Sequence, residues 1–587
     1  MILPALCGLY ENLAKNPASG VALPDYSTAA CSYVLTISQT GEFIGIERTA
    51  EGKKRILLTV PEQKGRTGSV PPPYFLCDNA KYLLGKGYDN SLKKTVPTQE
   101  RVMSALAFHR KVAGSSDDAG LLAVIAFLEE RVSGGRIDIP DNHPVYQGGT
   151  IVFRLRNAKS YIHDRSAAHR AWEDFCDSAL SPELRGQCLI TGKCNQPIAQ
   201  THKPLKGVAD GNKTGCALVS FNLDSAESYG KSQSYNAPVS KKAMFMYTTA
   251  LNHLLADKKS RIRIGDMTVV FWTERSGENR DASLISALLS SEVPPTGDPP
   301  DGFTGQEIDE MMNKVRSGNA ANDPYFQVKI CILGLAPNAA RLSVRFWYED
   351  TLENFIRHMG DHAENVQVIR SGNIAPRVVS MGDILRSITV KSNKKWWEMV
   401  PSSYESALLR AVISGDPYPA SVCAALLMRI RAESGDEFGI DYIRAGYLKA
   451  YLLRYYQKEN LNETMKVVCV SLNQESIDTA YSLGRLFAVI EALQQNVNGT
   501  ATIRARYFAS ASSNPKLVFP KLLDISQHLI AKTAGKYFDN QIGAIMSGIK
   551  EFPAAMNLEE QGKFVLGYYH QREYIYTKKE DKDKMAV

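Results

Sequence analysis

Apolar and polar residues alternate along the first 60 residues of the chain. The alternation is clearest in CSYVLTISQTGEFIGIE and in KKRILLTVP, and Gly41 and Gly52 mark turns. A period of two predicts strands that bury one face. From about 98 to 133 the apolar residues recur at the spacing of a helix instead. The chain is therefore expected to begin with mixed α and β structure.

This mixture is expected to continue to about residue 350. TIVFRLRN predicts a strand, a helix follows through Trp172 and Phe175, and CALVSFN predicts a short strand within the loop-rich stretch 186–240. Residues 291–305 carry four prolines, which is typical of a linker. Two more strands are predicted around a turn at Pro337, and helical spacing then continues to the end.

The predicted fold class is therefore α+β, with a mixed N-terminal α/β region and long loops followed by an all-α C-terminal helical bundle. A length of 587 residues also predicts several domains, because one hydrophobic core rarely serves so long a chain. The predicted segments are an α+β domain at 1–290, a linker at 291–305, a second α+β segment packed on the first at 306–385, and the bundle at 386–587.

Composition favours a globular protein of a reducing compartment. The chain is 44% hydrophobic and 22% charged. Its first residues, interrupted by Pro4 and Gly8, lack the basic start and long apolar core of a signal peptide. No stretch approaches the roughly 20 apolar residues that a membrane span needs. The ten cysteines follow no disulfide spacing, so a cytoplasmic location without membrane attachment is expected.

Positive charge is concentrated in one window of the sequence. Residues 185–263 contain twelve Lys or Arg and four Asp or Glu, a net charge of +8, whereas the whole chain has a net charge of +7. A solvated basic face is the ordinary explanation of a charge run. A polyanionic partner is the alternative, since each phosphate that a cation neutralises releases condensed counterions.

The sequence GVADGNKTG at 207–215 resembles a phosphate-binding loop of nucleotide hydrolases. That motif requires the lysine directly after the second glycine. Here Asn212 stands between Gly211 and Lys213, and strand-like residues follow where a helix is needed. ATP hydrolysis is therefore not expected.

Other catalytic or metal-binding patterns are equally incomplete. Cys188, Cys194, His202 and Cys216 are too widely spaced for a structural zinc site, in which cysteines pair at two to four residues. The sequence HMGDH at 358–362 lacks the glutamate of the zinc-protease motif. No serine-nucleophile elbow is present. The sequence therefore predicts no catalytic residue, no metal and no cofactor.

Within the basic window, the residue types suit contact with a nucleic acid. Lysines can neutralise phosphates, amides can pair with base edges, and tyrosines can stack on bases. The candidate residues are Lys203, Lys206, Asn212, Lys213, Asn222, Tyr229, Lys231, Gln233 and Asn236.

Several blocks of sequence resemble the large subunit of the type I-C CRISPR surveillance complex, Cascade. The resemblance runs from the first residues nearly to the last. The blocks are FLCDNAKYLLG (75–85), CLITGK (188–193), HKPLKGV…VSFN (202–222), SYG…YNAPVS (228–240), LGLAPNAARLSVRFW (333–347), LGRLFAVIE (483–491) and QGKFVLGYYHQR (561–572).

This resemblance implies a non-enzymatic subunit of a crRNA-guided ribonucleoprotein in a prokaryotic cytoplasm. Such a subunit inspects double-stranded DNA for a short protospacer-adjacent motif (PAM), helps to open the duplex, stabilises the R-loop by holding the displaced strand, and docks a helicase-nuclease. Its implied partners are the crRNA, the target DNA, the Cascade backbone and crRNA-processing subunits, and a small subunit. Guide pairing reads the long sequence, so the protein needs to read only a few base pairs and the backbone.

Carried over to this chain, the resemblance implies that the loops of 201–240 contact the PAM. A second nucleic-acid surface is predicted at Lys64, Arg66, Phe75 and Asn79, and duplex DNA, the guide handle and a neighbouring subunit all remain open as its partner. A groove for the displaced strand is predicted from basic residues of the C-terminal helices, namely Arg485, Arg504, Arg506, Lys516, Lys521 and Lys532.

Two other functions remain open from the sequence. One is a nuclease or other nucleic-acid-processing enzyme with an unrecognised site, which metal-dependent cleavage would reveal. The other is a scaffold that binds only guide RNA and protein. Comparing duplex binding with and without the PAM, at fixed salt, separates DNA readout from the scaffold.

The resemblance also implies an internal translation start for the small subunit. Met465 precedes the last helical block, so a start there would yield residues 465–587. Replacing Met465 by alanine should abolish a short co-purifying protein with that N-terminus, as measured by mass spectrometry. Persistence of the short protein in the M465A preparation would refute the internal start.

Overall fold

The computed structural model describes most of the chain in two compact units. The described residues are 1–16, 19–49, 56–63, 71–178, 184–274, 279–291, 305–370, 379–390, 396–435, 439–461, 468–500, 502–533 and 536–577. The first unit contains Leu3–Lys203 and Val219–His253, and the second contains Pro204–Leu218 and Leu254–Val587. Met465 and most of the predicted linker lie outside the described residues.

Strand β1 (Tyr26–Ile37) is the centre of the sheet of the first unit. It pairs antiparallel with β2 (Phe43–Arg48) and β3 (Ile56–Pro61), and parallel with β7 (Thr150–Leu155), which pairs with the short β4 (Cys77–Asp78). The alternation that predicted β1 is observed, because alternate side chains of the strand are buried along much of its length. A parallel pair needs a long crossover, and residues 38–149 supply it.

Helices and two small hairpins complete the first unit. The hairpins are β5 (Lys86–Asp89) with β6 (Lys94–Pro97), and β8 (Arg185–Gly186) with β9 (Gln196–Pro197). The helices that begin in this unit are α1 (Ile2–Lys15), α2 (Ala80–Leu83), α3 (Gln99–Ala113), α4 (Ala119–Val132), α5 (Ser166–Ser178) and α6 (Lys241–Ala256).

The second unit contains a four-stranded antiparallel sheet. Its order is β10 (Arg261–Ile264), β11 (Met267–Thr273), β12 (Lys329–Asn338) and β13 (Arg341–Thr351). Every residue of β11 is buried. Because β11 and β12 lie on opposite sides of the predicted linker but pair directly, the predicted boundary at 291–305 does not coincide with the division into compact units.

Helices and connecting loops form the rest of the described second unit, and one hydrophobic core runs from Ile264 through the C-terminal helices to Tyr569. The predicted boundary at 386 therefore falls inside a continuous core. The helices are α7 (Asn279–Ser291), α8 (Gly305–Arg316), α9 (Leu352–Asn365), α10 (Met381–Ser387), α11 (Ser402–Ser414), α12 (Ala420–Ala432), α13 (Tyr442–Lys458), α14 (Thr479–Asn498), α15 (Ile503–Ala511), α16 (Pro515–Thr533), α17 (Lys536–Met546) and α18 (Leu558–Tyr576).

The α+β prediction is confirmed, since the last described strand ends at Thr351 and described helices follow it. The predicted strand at 216–222 is wrong. Cys216 and Ala217 make only isolated bridges, to Leu205 and Arg341. Among the described residues, no helix is both long and apolar enough to cross a membrane.

Helices α14 and α18 approach each other closely at two glycines. A Cβ on Gly484 would overlap the carbonyl oxygen of Phe564, and a Cβ on Gly567 would overlap that of Tyr481. The backbones of the two helices therefore touch where side chains normally separate them. Each glycine is required by the close approach of the opposite backbone.

Substituting Gly484 by alanine should destabilise the protein by about 3 kcal/mol, because the methyl group must push α18 away or distort α14. Gly543→Ala is the matched control. Gly543 lies in α17, nothing is within 4 Å of its Cβ position, and alanine there should be neutral or stabilising by up to about 1 kcal/mol. Urea unfolding followed by circular dichroism measures both variants. Equal midpoints would contradict the close approach of the helices.

Candidate nucleic-acid interface

Buried side chains anchor residues 204–218, a loop of the second unit. Leu205 and Cys216 are each 1% exposed and exchange both backbone hydrogen bonds, at 2.9 and 2.8 Å. The backbone N–H of Asn212 donates to the Cys216 Sγ at 3.3 Å. The N–H of Ala209 donates to the Thr268 Oγ1 at 2.9 Å. The loop is therefore a fixed structure although it contains no strand or helix.

Charged residues of β10 also hold this loop. The Arg261 guanidinium donates to the Gly207 carbonyl at 2.9 Å, and the Arg263 guanidinium lies 2.6 Å from the Asp210 carboxylate. Two arginines of the basic window are thus engaged in positioning the loop.

The exposed side chains of this loop include three of the predicted residues, Lys206, Asn212 and Lys213. No helix begins in residues 216–223, which the structure describes throughout. A phosphate-binding loop of a nucleotide hydrolase requires a helix N-terminus at that point. The local structure therefore differs from that of the motif which the sequence resembles.

A tight turn in the first unit presents Tyr229 to solvent. The N–H of Lys231 donates to the Ser228 carbonyl at 3.0 Å, and the two central residues, Tyr229 and Gly230, have φ angles of 53° and 66°. Positive φ at both positions is typical of a type I′ turn. Tyr229 is 98% exposed, which is unusual for so large an aromatic side chain.

Two side chains brace this turn. The Asn236 Oδ1 accepts from the Ser228 N–H at 3.0 Å, and its Nδ2 donates to the Lys231 and Gln233 carbonyls at 2.8 and 2.9 Å. The Glu227 carboxylate accepts from the Gln233 N–H at 2.8 Å. Asn236 was predicted to contact base edges, but both ends of its amide are engaged within the loop. The observed geometry makes it a positioning residue.

The remaining predicted residues of this region have different surroundings. Asn222 and Lys231 are exposed, and the Asn222 Oδ1 accepts from the Ser220 hydroxyl at 3.3 Å. Gln233 is half-buried, with its Oε1 enclosed. The Lys203 ammonium lies 2.5 Å from the Glu62 carboxylate.

The predicted site is divided between the two units. Lys206, Asn212 and Lys213 belong to the second unit, and the predicted residues at 203 and from 222 to 236 belong to the first. Sequence reasoning missed Glu227 and Asp210. An acid inside a basic window can pair with one of its arginines, as Asp210 does with Arg263, so this contact had a signal, whereas the backbone contact of Glu227 depends on the fold of the loop.

The second predicted surface is only partly described, because Lys64 and Arg66 lie outside the described residues. Phe75 is 1% exposed and stacks on Trp172, with ring centroids 5.8 Å apart. It is therefore a core residue and not a surface contact, which corrects the prediction. Asn79 is half-buried, and its side chain accepts from the Lys81 N–H at 3.1 Å, which caps α2.

A buried histidine fixes the backbone next to Phe75. The Leu76 N–H donates to the His109 Nε2 at 3.0 Å, and the His109 Nδ1–H donates to the Ala105 carbonyl at 2.7 Å. Burial lowers the pKa of His109 to about 4, so the imidazole is neutral near pH 7 and its Nε2 can accept. This contact holds Leu76 at a φ of 55°.

Two of the six residues that were predicted to form the C-terminal groove are buried. Arg485 is 6% exposed, and its guanidinium donates to the Gln571 side chain and the Gln474 carbonyl at 3.1 and 3.0 Å. Arg504 is 8% exposed and lies 3.6 Å from the Glu491 carboxylate. Both arginines are structural. The other four are exposed on α15 and α16, namely Arg506, Lys516, Lys521 and Lys532.

Three of the four candidate zinc ligands, Cys188, His202 and Cys216, are buried or half-buried. The Cys188 Sγ accepts from the Ser240 N–H at 3.3 Å, and the His202 Nδ1 is hydrogen-bonded to the Tyr247 hydroxyl at 2.5 Å. Cys216 belongs to the other unit. Within the described ranges, no group of three or more His, Cys, Asp or Glu is arranged to hold a metal ion.

Comparison with known proteins agrees with the resemblance seen in the sequence. A search of curated proteins gave no match. The model of a protein family, described as CRISPR-associated protein (Cas_Csd1), matches residues 6–576, which is nearly the whole chain. The chain therefore belongs to the Cas_Csd1 family of CRISPR-associated proteins, which confirms the predicted resemblance to the type I-C Cascade large subunit.

Proposed function

We propose that this chain is the non-catalytic large subunit of an RNA-guided type I-C Cascade and recognises the PAM on double-stranded DNA. The observation that carries the proposal is the placement of exposed lysines, amides and Tyr229 on two braced loops of the most basic stretch of the chain. Family membership supports a role in CRISPR defence with crRNA and other Cas subunits.

Bracing favours recognition because ordering a loop at the moment of binding costs free energy. The loop at 204–218 and the turn at 228–231 are held by hydrogen bonds that need no ligand. We assign phosphate contacts to Lys206, Lys213 and Lys231, and base-edge contacts to Asn212 and Asn222. Asn236 acts through the turn that it holds.

Duplex opening is assigned to Tyr229, whose exposed ring can stack on a base that has lost its partner. The displaced strand would follow the four exposed cations of α15 and α16, which supply charge without sequence preference. In this proposal, pairing with the crRNA guide reads the target sequence. The assembled complex, in a prokaryotic cytoplasm, docks the helicase-nuclease that cuts.

The proposal assigns no cleavage to this chain. Incubating the isolated chain with labelled single-stranded and double-stranded DNA and RNA, with Mg²⁺ or Mn²⁺, tests this point. Unchanged substrates support the proposal. Cleavage that co-purifies with the chain through two columns would replace it with a nuclease function.

Asn212→Ala and Lys213→Ala should weaken DNA binding in different ways. Loss of the amide should reduce affinity for the PAM duplex alone, by about 1–3 kcal/mol, because a base-edge contact discriminates. Loss of the lysine should weaken PAM and non-PAM duplexes alike and lower the slope of log affinity against log salt by about 1. Binding of both duplexes to the assembled complex at several salt concentrations measures both effects.

Lys458→Ala is the control for this comparison, since Lys458 is exposed at the end of α13. It should leave affinity and salt slope unchanged. If Asn212→Ala weakened both duplexes equally, Asn212 would not read the PAM. If Asn212→Ala and Lys213→Ala both kept full PAM selectivity and affinity, the loop at 204–218 would not contact DNA.

Tyr229→Ala should lower affinity for the PAM duplex and slow its opening, because stacking on one base contributes about 1–3 kcal/mol. Tyr229→Phe retains the ring and should behave like the parent. Fluorescence of 2-aminopurine placed next to the PAM reports opening. Thermal unfolding should not change, since the side chain is 98% exposed. Unaltered opening by the alanine variant would remove Tyr229 from the mechanism.

A further inference from the structure

A cavity of about 380 Å³ lies in the first unit, apart from the Tyr229 turn. Its walls come from α2, β5, the start of α3, and the segment 144–149. This volume is near the lower end of the range for ligand pockets, roughly 300–1,000 Å³. The cavity has room for one nucleotide but not for a base-paired step.

Aromatic side chains form the inner part of this cavity. Tyr82 is fully buried, and its hydroxyl donates to the Pro71 carbonyl at 2.5 Å. Tyr146 is 4% exposed, and burial raises its pKa to about 12, so its hydroxyl stays neutral. Tyr88 is half-buried beside them and offers part of its ring to a ligand.

Two cations, Lys81 and Arg101, line the cavity, and no Asp or Glu is among its lining residues. Neither forms an ion pair with a carboxylate of the described residues. Arg101 instead lies over the Tyr82 ring, 5.5 Å from its centroid. Other cations of the same unit are paired, as Arg110 is with Glu129 at 2.5 Å and Arg165 with Asp118 at 2.6 Å. The positive charge of the cavity is therefore uncompensated by its own walls.

Glycines let the Lys81 stem pack closely and form part of the cavity wall. The stem of Lys81 lies against Gly87, where a Cβ would overlap it. Gly148 and Gly149 have φ angles of 147° and 108°, and a Cβ on Gly148 would meet nothing within 4 Å. The amides of Asn79, Asn90 and Gln147 line the same space.

From these features we infer that the cavity binds a single unpaired nucleotide of a nucleic-acid strand. Lys81 and Arg101 hold its phosphate, Tyr88 contacts the face of its base, and the amides accept and donate at the base edge. The inference rests on the proposed function only for the source of the nucleotide, which is the guide RNA or a DNA strand. A 2′-hydroxyl distinguishes the two.

Photocrosslinking of the full chain tests this inference directly. The probes are five-nucleotide single strands of RNA and of DNA with a central 5-iodouracil, and mass spectrometry maps the crosslinked peptide. A crosslink in the peptide containing Tyr88 or Tyr146 is expected. An RNA-only crosslink identifies the guide as the source, a DNA-only crosslink identifies a DNA strand, and crosslinks with both indicate recognition without the 2′-hydroxyl. Crosslinks that map only elsewhere would overturn the inference.

Variants separate this site from general electrostatic attraction. Lys81→Ala and Arg101→Ala should each reduce crosslinking and raise the Kd of the short strand at least tenfold, and Arg101→Lys should restore part of the binding. Arg136→Ala, at an exposed arginine outside the cavity, should have no effect. Equal losses in Arg101→Ala and Arg136→Ala, or displacement of the strand by equimolar inorganic phosphate, would refute a nucleotide site.

Two further measurements keep the outcomes distinct. Thermal unfolding of Lys81→Ala should show only a small loss of stability, from the stem that packs against Gly87, because the removed ammonium has no carboxylate partner among the described residues. PAM selectivity of the assembled complex should also survive in Lys81→Ala, since the Tyr229 turn and the 204–218 loop are unchanged. Loss of the short-strand crosslink with PAM selectivity intact supports the cavity. An intact crosslink without PAM selectivity would reject only the proposed function.

Discussion

Long exposed loops must find partners for their backbone polar groups, and this constraint shapes the candidate interface. Residues 186–240 contain little regular structure, so their N–H and C=O groups have few ladder partners. Side chains supply the partners instead. The Asn236 amide engages three backbone groups of one turn, and the Thr268 hydroxyl and the Cys216 thiol accept from the other loop. These contacts give the two loops their fixed geometry.

The contacts that hold these loops also engage some of the cations of the basic window. Net charge in the window is +8, but Arg261 and Arg263 are engaged with the 204–218 loop and Lys203 is paired with Glu62. Exposed ion pairs contribute little stability, but they fix geometry and reduce the charge offered to a polyanion. Asp210 is already counted in the net charge of the window, so only the Lys203–Glu62 pair lowers that charge, and the exposed cations of the window include Lys213 and Lys231.

Periodicity was sufficient to predict the fold class, because β1 and the C-terminal helices bury regular faces. It failed where burial depends on distant residues. Phe75 follows a Gly- and Pro-rich stretch and was expected at the surface, but Trp172, far along the chain, covers it. Arg485 was expected in a groove, although the residues between it and Glu491 in LGRLFAVIE are all apolar and lie on every side of the helix, which itself indicates burial. The bracing roles of Asn236 and Glu227 depend on turn geometry that spacing does not specify.

Helix packing indicates which contacts residues 465–587 would keep as a separate product and which they would lose. The close backbone approach at Gly484 and Gly567 joins two helices that both follow Met465, so this contact would persist in a product of residues 465–587. Other contacts would not persist. The Tyr569 hydroxyl donates to the Ile369 carbonyl at 2.7 Å, and Leu452 of α13 packs against Gly562. A separate product would expose the apolar surface that α13 covers in the full chain. Burial of that surface therefore requires either the preceding helices or a neighbouring subunit.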